Sequence, residues 1–299
     1  MTKIEYSSEV REAIKNDDPI VALESTIITH GMPWPENLET AKSVEMIVKE
    51  YGATPATIAI INGVIKVGLE EEVLSKLSAT IDVRKLSRAD LAHCLIKKET
   101  GATTVAATMI IAKLAGIKIF ATGGIGGVHK FAEKTFDISA DLQELSKTAI
   151  SVVCSGPKAI LDIPKTLEVL ETLGVPVITF GQTNLPAFWS SDSPFLSPLS
   201  LNDPALIAKS HNIRKKLGLS GGQLIANPAP KEEQIPFDIM EPVITKAIEL
   251  ANEKGITAKE VTPFVLSKIN ELTNDKSLLA NIALIKNNAK LASKIALCF

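Results

Sequence analysis

The feature that most constrains this chain is a repeated change of apolar rhythm. Short, continuous, β-branched runs alternate with longer amphipathic stretches. The short runs are IVAL at Ile20–Leu23, TIAIING from Thr57, KIFATGG from Lys118, ISVVCSG from Ile150 and VPVITFG from Val175. Each is brief and closed by glycine or a polar residue, the pattern of a strand buried on both faces. Between them, helical periodicity covers Glu36–Gly52, Arg88–Gly116 in two pieces, and KAILDIPKTLEVLETLG from Lys158 to Gly174. Strands joined through helices are the crossover connections of a parallel sheet. The expected fold is therefore α/β, a three-layer α/β/α architecture with a largely parallel central sheet.

Two stretches break the rhythm. TNLPAFWSSDSPFLSPLSLNDP, Thr183–Pro204, is rich in proline and serine and carries Phe188, Trp189 and Phe195. It reads as a long ordered loop, a lid or a subunit contact, whose aromatic side chains need cover. From Pro236 onward the pattern is helical throughout, giving a helical C-terminal region. No repeat, low-complexity tract or linker interrupts residues 1–299, so one domain is expected.

Composition narrows the function classes. The formal net charge is −2 and aromatics are 4% of 299 residues. That offers neither a polyanion-binding surface nor stacking platforms, so a nucleic-acid partner is not expected. Cys94, Cys154 and Cys298 are far apart and odd in number, as for incidental thiols of a reducing compartment. The N-terminus lacks the apolar core of a signal peptide, and no apolar run is long enough to span a bilayer. A soluble cytoplasmic protein without a membrane partner is the expectation.

Ligands of parallel sheets bind at the carboxyl ends of the strands. Three such ends are polar here. IVALESTIITHG places Glu24, Ser25, Thr26 and His30 after one strand; KIFATGGIGGVHK places Thr122, four glycines and His129 after another; ISVVCSGPKAILD places Ser155 and Lys158 at a strand-to-helix junction. Alone, Glu24-Ser25-Thr26 reads as a helix cap. GGIGG reads equally as a tight turn or as a set of backbone N–H groups for phosphate, and it matches neither the dinucleotide fingerprint nor the Walker loop. Lys158 is more informative. A helix start and partial desolvation both disfavour ammonium, the condition for a Schiff-base lysine; the competing reading is a lysine reaching into solvent. FDISADL supplies Asp137, Ser139 and Asp141. On an extended segment these share a face and suit a hard cation that keeps its waters, Mg²⁺ or Mn²⁺. The competing reading is an acidic loop with a helix cap. The four histidines have no mutual metal spacing, and His93 and His211 read as surface or helix residues.

In order along the chain, ALESTIITHGMPWPENLETA, IAIINGVIKVGL, KLSRADL, GATTVAATMIIAKLAGIKIFATGGIGGVHK, FDISADL, SGPKAILDIPKTLEVLETLGVPVITF and NIALIKNNA resemble the pseudouridine-5′-phosphate glycosidase family, also called indigoidine synthase A-like. The resemblance covers nearly the whole chain. It implies a homotrimer of α/β/α subunits that uses Mn²⁺, Mg²⁺ or a similar ion. The reaction it implies is reversible conversion of pseudouridine 5′-phosphate and water into uracil and ribose 5-phosphate. Carried over by motif, Lys158 is the Schiff-base residue, Glu24 the proton donor and Asp137 the metal-associated carboxylate. Ser139, Ala140, Asp141, Lys85, Thr104, Val105 and His129 are substrate contacts, and Asn281 belongs to the base-side pocket. Pro157, Trp34 and NPAP at 227–230 depart from the usual pattern, all near the lip of that pocket.

These residue types suit the reaction. A C-glycoside has a carbon leaving group, so protonating an oxygen or nitrogen, as ordinary glycosidases do, is a poor route. Opening the sugar ring and placing a lysine iminium at C1′ supplies an electron sink instead. The site then needs a neutral lysine, a carboxylate for proton transfer (Glu24 or Asp141) and phosphate anchoring from Lys85 and the glycine loop. Two other readings fit the same residues: a Schiff-base lyase acting on another sugar phosphate, and a noncatalytic sugar-phosphate-binding protein.

Overall fold

All five β-branched runs become strands. The computed structural model describes residues 3–256 and 261–299. Its strands are β1 (Ile4–Tyr6), β2 (Ile20–Leu23), β3 (Thr54–Ile61), β4 (Val64–Val67), β5 (Arg84–Leu86), β6 (Gly101–Thr103), β7 (Ile119–Ala121), β8 (Ser151–Cys154), β9 (Val177–Phe180), β10 (Leu199–Leu201) and β11 (Gln223–Ala226). They form one sheet in the order β1-β4-β3-β2-β7-β8-β11-β9-β10, with β6 beside β3 and β5 beside β6. Seven neighbours, from β3 through β2, β7, β8, β11 and β9 to β10, run parallel. The antiparallel pairings are those of β3 with β4 and β6. β3 and β4 form a hairpin through Asn62-Gly63, both at positive φ (51° and 72°), the residues that a two-residue turn of this hand requires. The six strands not foreseen from apolar runs are three or four residues long, and all but β11 lie toward the ends of the sheet. QLIA is too brief to stand out, yet it fills the gap between β8 and β9.

Alternation along the strands builds two cores. Ala22, Phe120, Val152 and Leu224 face one side, under the helices Val105–Leu114, Ala140–Lys147 and Ile163–Thr172. Val21, Leu23, Ile119, Val153 and Ile225 face the other. That side is covered by the helices Glu36–Glu50, Pro204–Lys216, Phe237–Glu253, Val261–Leu272 and Lys276–Ala296. The fold is thus the expected three-layer α/β/α, with the helical C-terminal region forming much of one outer layer. The last helix lies across β2, β7 and β8. Its alanines Ala280, Ala289, Ala292 and Ala296 let it approach the sheet, and Leu284, Ile285 and Ile295 fill the remaining space. Each fully buried large side chain of this kind stabilises the fold by about 1.5–3 kcal/mol.

Three local expectations are corrected. The helix after β8 begins at Ile163, not at Lys158, because Asp162 caps it by accepting from the Lys165 N–H (3.1 Å), with Pro164 in its first turn. The residues before it are held instead by the glycine loop. The Lys158 N–H donates to Ile125 O (3.0 Å) and the Asp162 N–H to Val128 O (2.8 Å). In FDISADL, Ser139 caps the helix Ala140–Lys147, so Asp141 stands in a helical turn and not on an extended segment. The aromatics of 183–204 are covered by their own chain. Phe188 and Trp189 are buried in the second core, and Phe195 packs edge-on against Phe237, centroids 6.0 Å apart. They give no reason to make this loop a subunit contact.

His211 lies on a helix, as expected, but it is buried. Its Nδ1 meets Ser151 Oγ at 3.0 Å and its ring meets Phe299 edge-on. Burial, reinforced by Lys113, Lys118, Arg214 and Lys215, pushes its pKa down from 6.5 to about 4. The unfolded chain therefore takes up a proton that the fold refuses. This penalty is absent above pH 6.5 and grows as pH falls toward 4, to at most about 3 kcal/mol. His211→Gln should flatten this part of the stability profile, measured by urea unfolding between pH 7 and 4. An unchanged slope would count against the assignment.

Candidate active site

The parallel strands end in polar residues at one edge of the sheet: Glu24 after β2, Thr122 after β7, Ser155 after β8 and Asn227 after β11. All four are buried. A side chain from the last helix ties three of these ends together. Asn288, fully buried, donates to Thr122 O (2.8 Å), meets Ser155 Oγ (3.1 Å) and accepts from Asn227 Nδ2 (3.0 Å). Thr122 passes this order on, since its hydroxyl donates to one oxygen of Glu24 while the Thr26 hydroxyl donates to the other. Glu24 is held at both oxygens, with its carboxylate at the wall of the site.

Two chambers meet at that wall. They share Glu24, Thr26, Lys85 and Lys158. The wider one, about 1030 Å³, is polar and adds Ser87, Thr104, Val105, His129, Asp137, Ser139, Ala140 and Asp141. The narrower, about 590 Å³, is largely apolar, with Ile27, Met32, Phe188, Leu266 and Leu284 beside Asn281 and His30. Of the eleven residues singled out from the sequence, ten line the first chamber and Asn281 lines the second. The fold thus brings together side chains that stand up to 257 positions apart, from Glu24 to Asn281.

Lys158 reaches both chambers from a loop, not from a helix start. Gly156, at φ 88°, turns the chain there, and a Cβ at that position would lie 2.7 Å from Pro186 O. The glycine loop is more structural than an open phosphate cradle. Ile125, Gly126, Val128 and His129 all spend their N–H groups on protein acceptors. Gly126 is tight as well, since a Cβ there would come within 2.1 Å of Ser139 Oγ.

Asp141 is part of this packing. One carboxylate oxygen accepts from Ala106 N–H (2.9 Å) and the other from Gly126 N–H (2.8 Å). It clamps the glycine loop to the start of the helix Val105–Leu114, so it is not the second free carboxylate of a cation site. Asp137 is the exposed one, 3.9 Å from His129 Nδ1. Among the described residues no cluster of three or more His, Cys, Asp or Glu side chains is placed to hold a metal. Burial holds the pKa of His129 below the ordinary histidine value, and although Asp137 opposes this, Lys158 and Lys85 add to it. His30 is lowered too, by burial and then by Lys85. Both imidazoles are neutral near pH 7. Two helix N-termini, at Thr104–Ala106 and Ser139–Asp141, face the polar chamber together with Lys85.

The chain and its fold resemble those of known proteins. Residues 9–298 match the family described as indigoidine synthase A like protein. The chain belongs to that family. A pseudouridine-5′-phosphate glycosidase of Paracoccus denitrificans is 61% identical over 98% of this chain and 97% of its own length. One of Staphylococcus aureus is 55% identical over 98% and 95%. Among solved structures, an indigoidine synthase A-like protein of Thermotoga maritima superposes with a TM-score of 0.90 at 34% identity, covering 99% of this chain and 96% of that one. The prealnumycin C-glycosynthase AlnA, solved in complex with ribulose 5-phosphate, superposes with a TM-score of 0.91 at 33% identity and the same coverage.

Sequence reasoning named side chains that line the two chambers but missed the residues that support them. Thr26 and Thr122 stood beside the polar strand ends without an assigned task. Asn288 lies in the segment NIALIKNNA, where only Asn281 had been given one. The signal for Asn288 was an uncharged polar residue within an alanine-rich, core-facing helix. The Asp141 clamp yields a direct test. Asp141→Asn sets an amide NH₂ against a backbone N–H and should cost about 1.5–3 kcal/mol, read as a drop in thermal midpoint. Wild-type stability in this variant would rule the clamp out.

Proposed function

We propose that this chain is a pseudouridine-5′-phosphate glycosidase, cleaving the C1′–C5 bond between ribose 5-phosphate and uracil reversibly. The observation that carries the reading is the placement of Lys158 and Glu24 at the shared wall of a polar and an apolar chamber. A sugar phosphate and a flat base need such a pair of compartments, with the reacting carbon between them. The names of the relatives support this reading, as does the sugar phosphate bound by AlnA.

The phosphate lies in the polar chamber, against Lys85 and the first helical residues Val105 and Ala140, where the helix dipoles favour an anion. Two backbone donors, one to each oxygen, fix the Asp141 carboxylate on that wall. The base lies in the apolar chamber beside Phe188 and Asn281. The Lys158 amine attacks C1′ while the C1′–O4′ bond breaks, and O4′ leaves with a proton from Glu24. The attached nitrogen gives up a proton to the Glu24 carboxylate; its lone pair then forms the iminium as the C1′–C5 bond breaks, and uracil C5 takes that proton up. Water adds to the iminium and releases ribose 5-phosphate and the free amine. Held by two threonine hydroxyls, Glu24 keeps one orientation through these transfers, which limits reorganisation at the moment of reaction.

A divalent ion belongs to the same proposal. Asp137, exposed in the polar chamber, suits a hard cation such as Mn²⁺ or Mg²⁺ held mainly through water, since one carboxylate is no closed cage. When bound, the ion supplies positive charge beside substrate oxygens. Chelation should abolish activity and Mn²⁺ should restore it, while Asp137→Asn should weaken Mn²⁺ binding by tenfold or more in calorimetry. Full activity of metal-free Asp137→Ala would eliminate this role. The homotrimer and the cytoplasmic location are further parts of the proposal. Phe131, Phe136 and Ile138, exposed beside the polar chamber, are a better contact surface than the 183–204 loop. No described helix is long and apolar enough to cross a membrane.

Borohydride added with ribose 5-phosphate should fix the sugar to the peptide containing SGPKAIL, as located by mass spectrometry. Lys158→Ala and Lys158→Arg should both lose the adduct and turnover, because a guanidinium keeps the charge but not the nucleophile. Substantial activity in the arginine variant, or trapping at Lys85, would overturn the assignment.

A further inference from the structure

Asn281 stands on the wall of the apolar chamber, and one end of its amide is already taken. The Trp189 indole N–H donates to Asn281 Oδ1 at 2.7 Å. An indole nitrogen can only donate. The amide must therefore turn its oxygen toward Trp189, which leaves its NH₂ end for a ligand. This orientation follows from the partner's chemistry and not from the assignment of two similar atoms. Among the described residues no protein acceptor meets that NH₂ group. Trp189 is itself well fixed. It is 1% exposed, meets the Phe188 ring edge-on at 5.0 Å, and shares its N–H with Ser277 O at 3.2 Å.

We propose that Trp189 is a positioning residue that locks Asn281 as a hydrogen-bond donor, so that the chamber selects a base presenting a carbonyl oxygen there and rejects one presenting an amino group. The inference rests on the reading that this chamber holds the base. The physical reason for rejection is that two NH₂ groups facing each other in a partly desolvated pocket leave both unpaired. Uracil carries carbonyls at C2 and C4. Cytosine replaces the C4 carbonyl by an amino group, and isocytosine replaces the one at C2.

The test runs the reaction in the synthetic direction at saturating ribose 5-phosphate and compares kcat/KM for uracil, cytosine and isocytosine. Wild-type protein should reject at least one of the two amino bases by about a hundredfold or more. Trp189→Phe keeps the aromatic bulk but removes the donor. The amide is then free to turn, and the ratio of uracil to the rejected base should fall about five- to tenfold. Capture of ribose 5-phosphate on Lys158 should be unchanged. Asn281→Asp presents only acceptors, so it should lose activity with uracil and shift preference toward the rejected base. This second variant, on a half-buried chamber wall, carries the test if Trp189→Phe does not fold. A purely structural Trp189 would lower stability and leave the base ratio alone. Wild-type ratios in active Trp189→Phe and Asn281→Asp, or equal use of all three bases by wild type, would overturn the orientation lock but leave the proposed activity standing. Wild-type protein that captures ribose 5-phosphate yet uses no pyrimidine would sink both.

Discussion

The site depends on one buried amide. Asn288 stands where the ends of β7, β8 and β11 converge, and its donors and acceptor are all spent on the turns that leave those strands. Each of those turns carries part of the chemistry. Thr122 grips Glu24, and Ser155 begins the loop that leads to Lys158. An unpaired buried amide or carbonyl costs about 1–3 kcal/mol. The three turns are thus coupled through a single side chain, and a shift in one leaves polar groups unsatisfied in the others. Glu24 and Lys158 reach one wall for this reason, although they stand 134 positions apart in sequence.

The same economy governs charge. A pocket for a phosphate ester has to be rich in donors, yet this one contains three carboxylates on its walls. Two of them are held in place by fixed donors, Asp141 by backbone N–H groups and Glu24 by threonine hydroxyls. Asp137 alone faces solvent with an open coordination shell, beside a histidine that burial keeps neutral. The other charged side chains on the chamber walls are Lys85 and Lys158 at the junction and Asp137. This division cannot be inferred from residue types, because all three acids look alike in sequence.

The glycine loop shows how one motif can carry two readings in sequence. GGIGG offered a tight turn and a phosphate nest as equal alternatives. The fold uses it mainly as a packing surface, with Gly126 pressed against Ser139 and four neighbouring N–H groups committed to protein acceptors. Lys158 is a related case. The lysine does line both chambers, but the reason offered for it, a helix start, does not hold, since the helix begins at Ile163. The long loop reversed its expectation. Its aromatics suggested an outward contact, whereas Trp189 turns inward and meets Asn281.

By itself the sequence determined the class of fold and which side chains stand at the polar strand ends. Apolar period is a local property, and strand ends follow from it, so Glu24, Lys158 and the polar residues after each run were legible without coordinates. β11 was not, because four residues carry too little pattern and its place between β8 and β9 is set by partners distant in the chain. Nor was the role of each acid, the donor end of Asn281, or the task of Asn288. These depend on which hydrogen-bond partner lies across a gap between elements far apart in sequence. Only the tertiary structure decides that, because it alone determines which buried polar group is paired and which is left for a ligand.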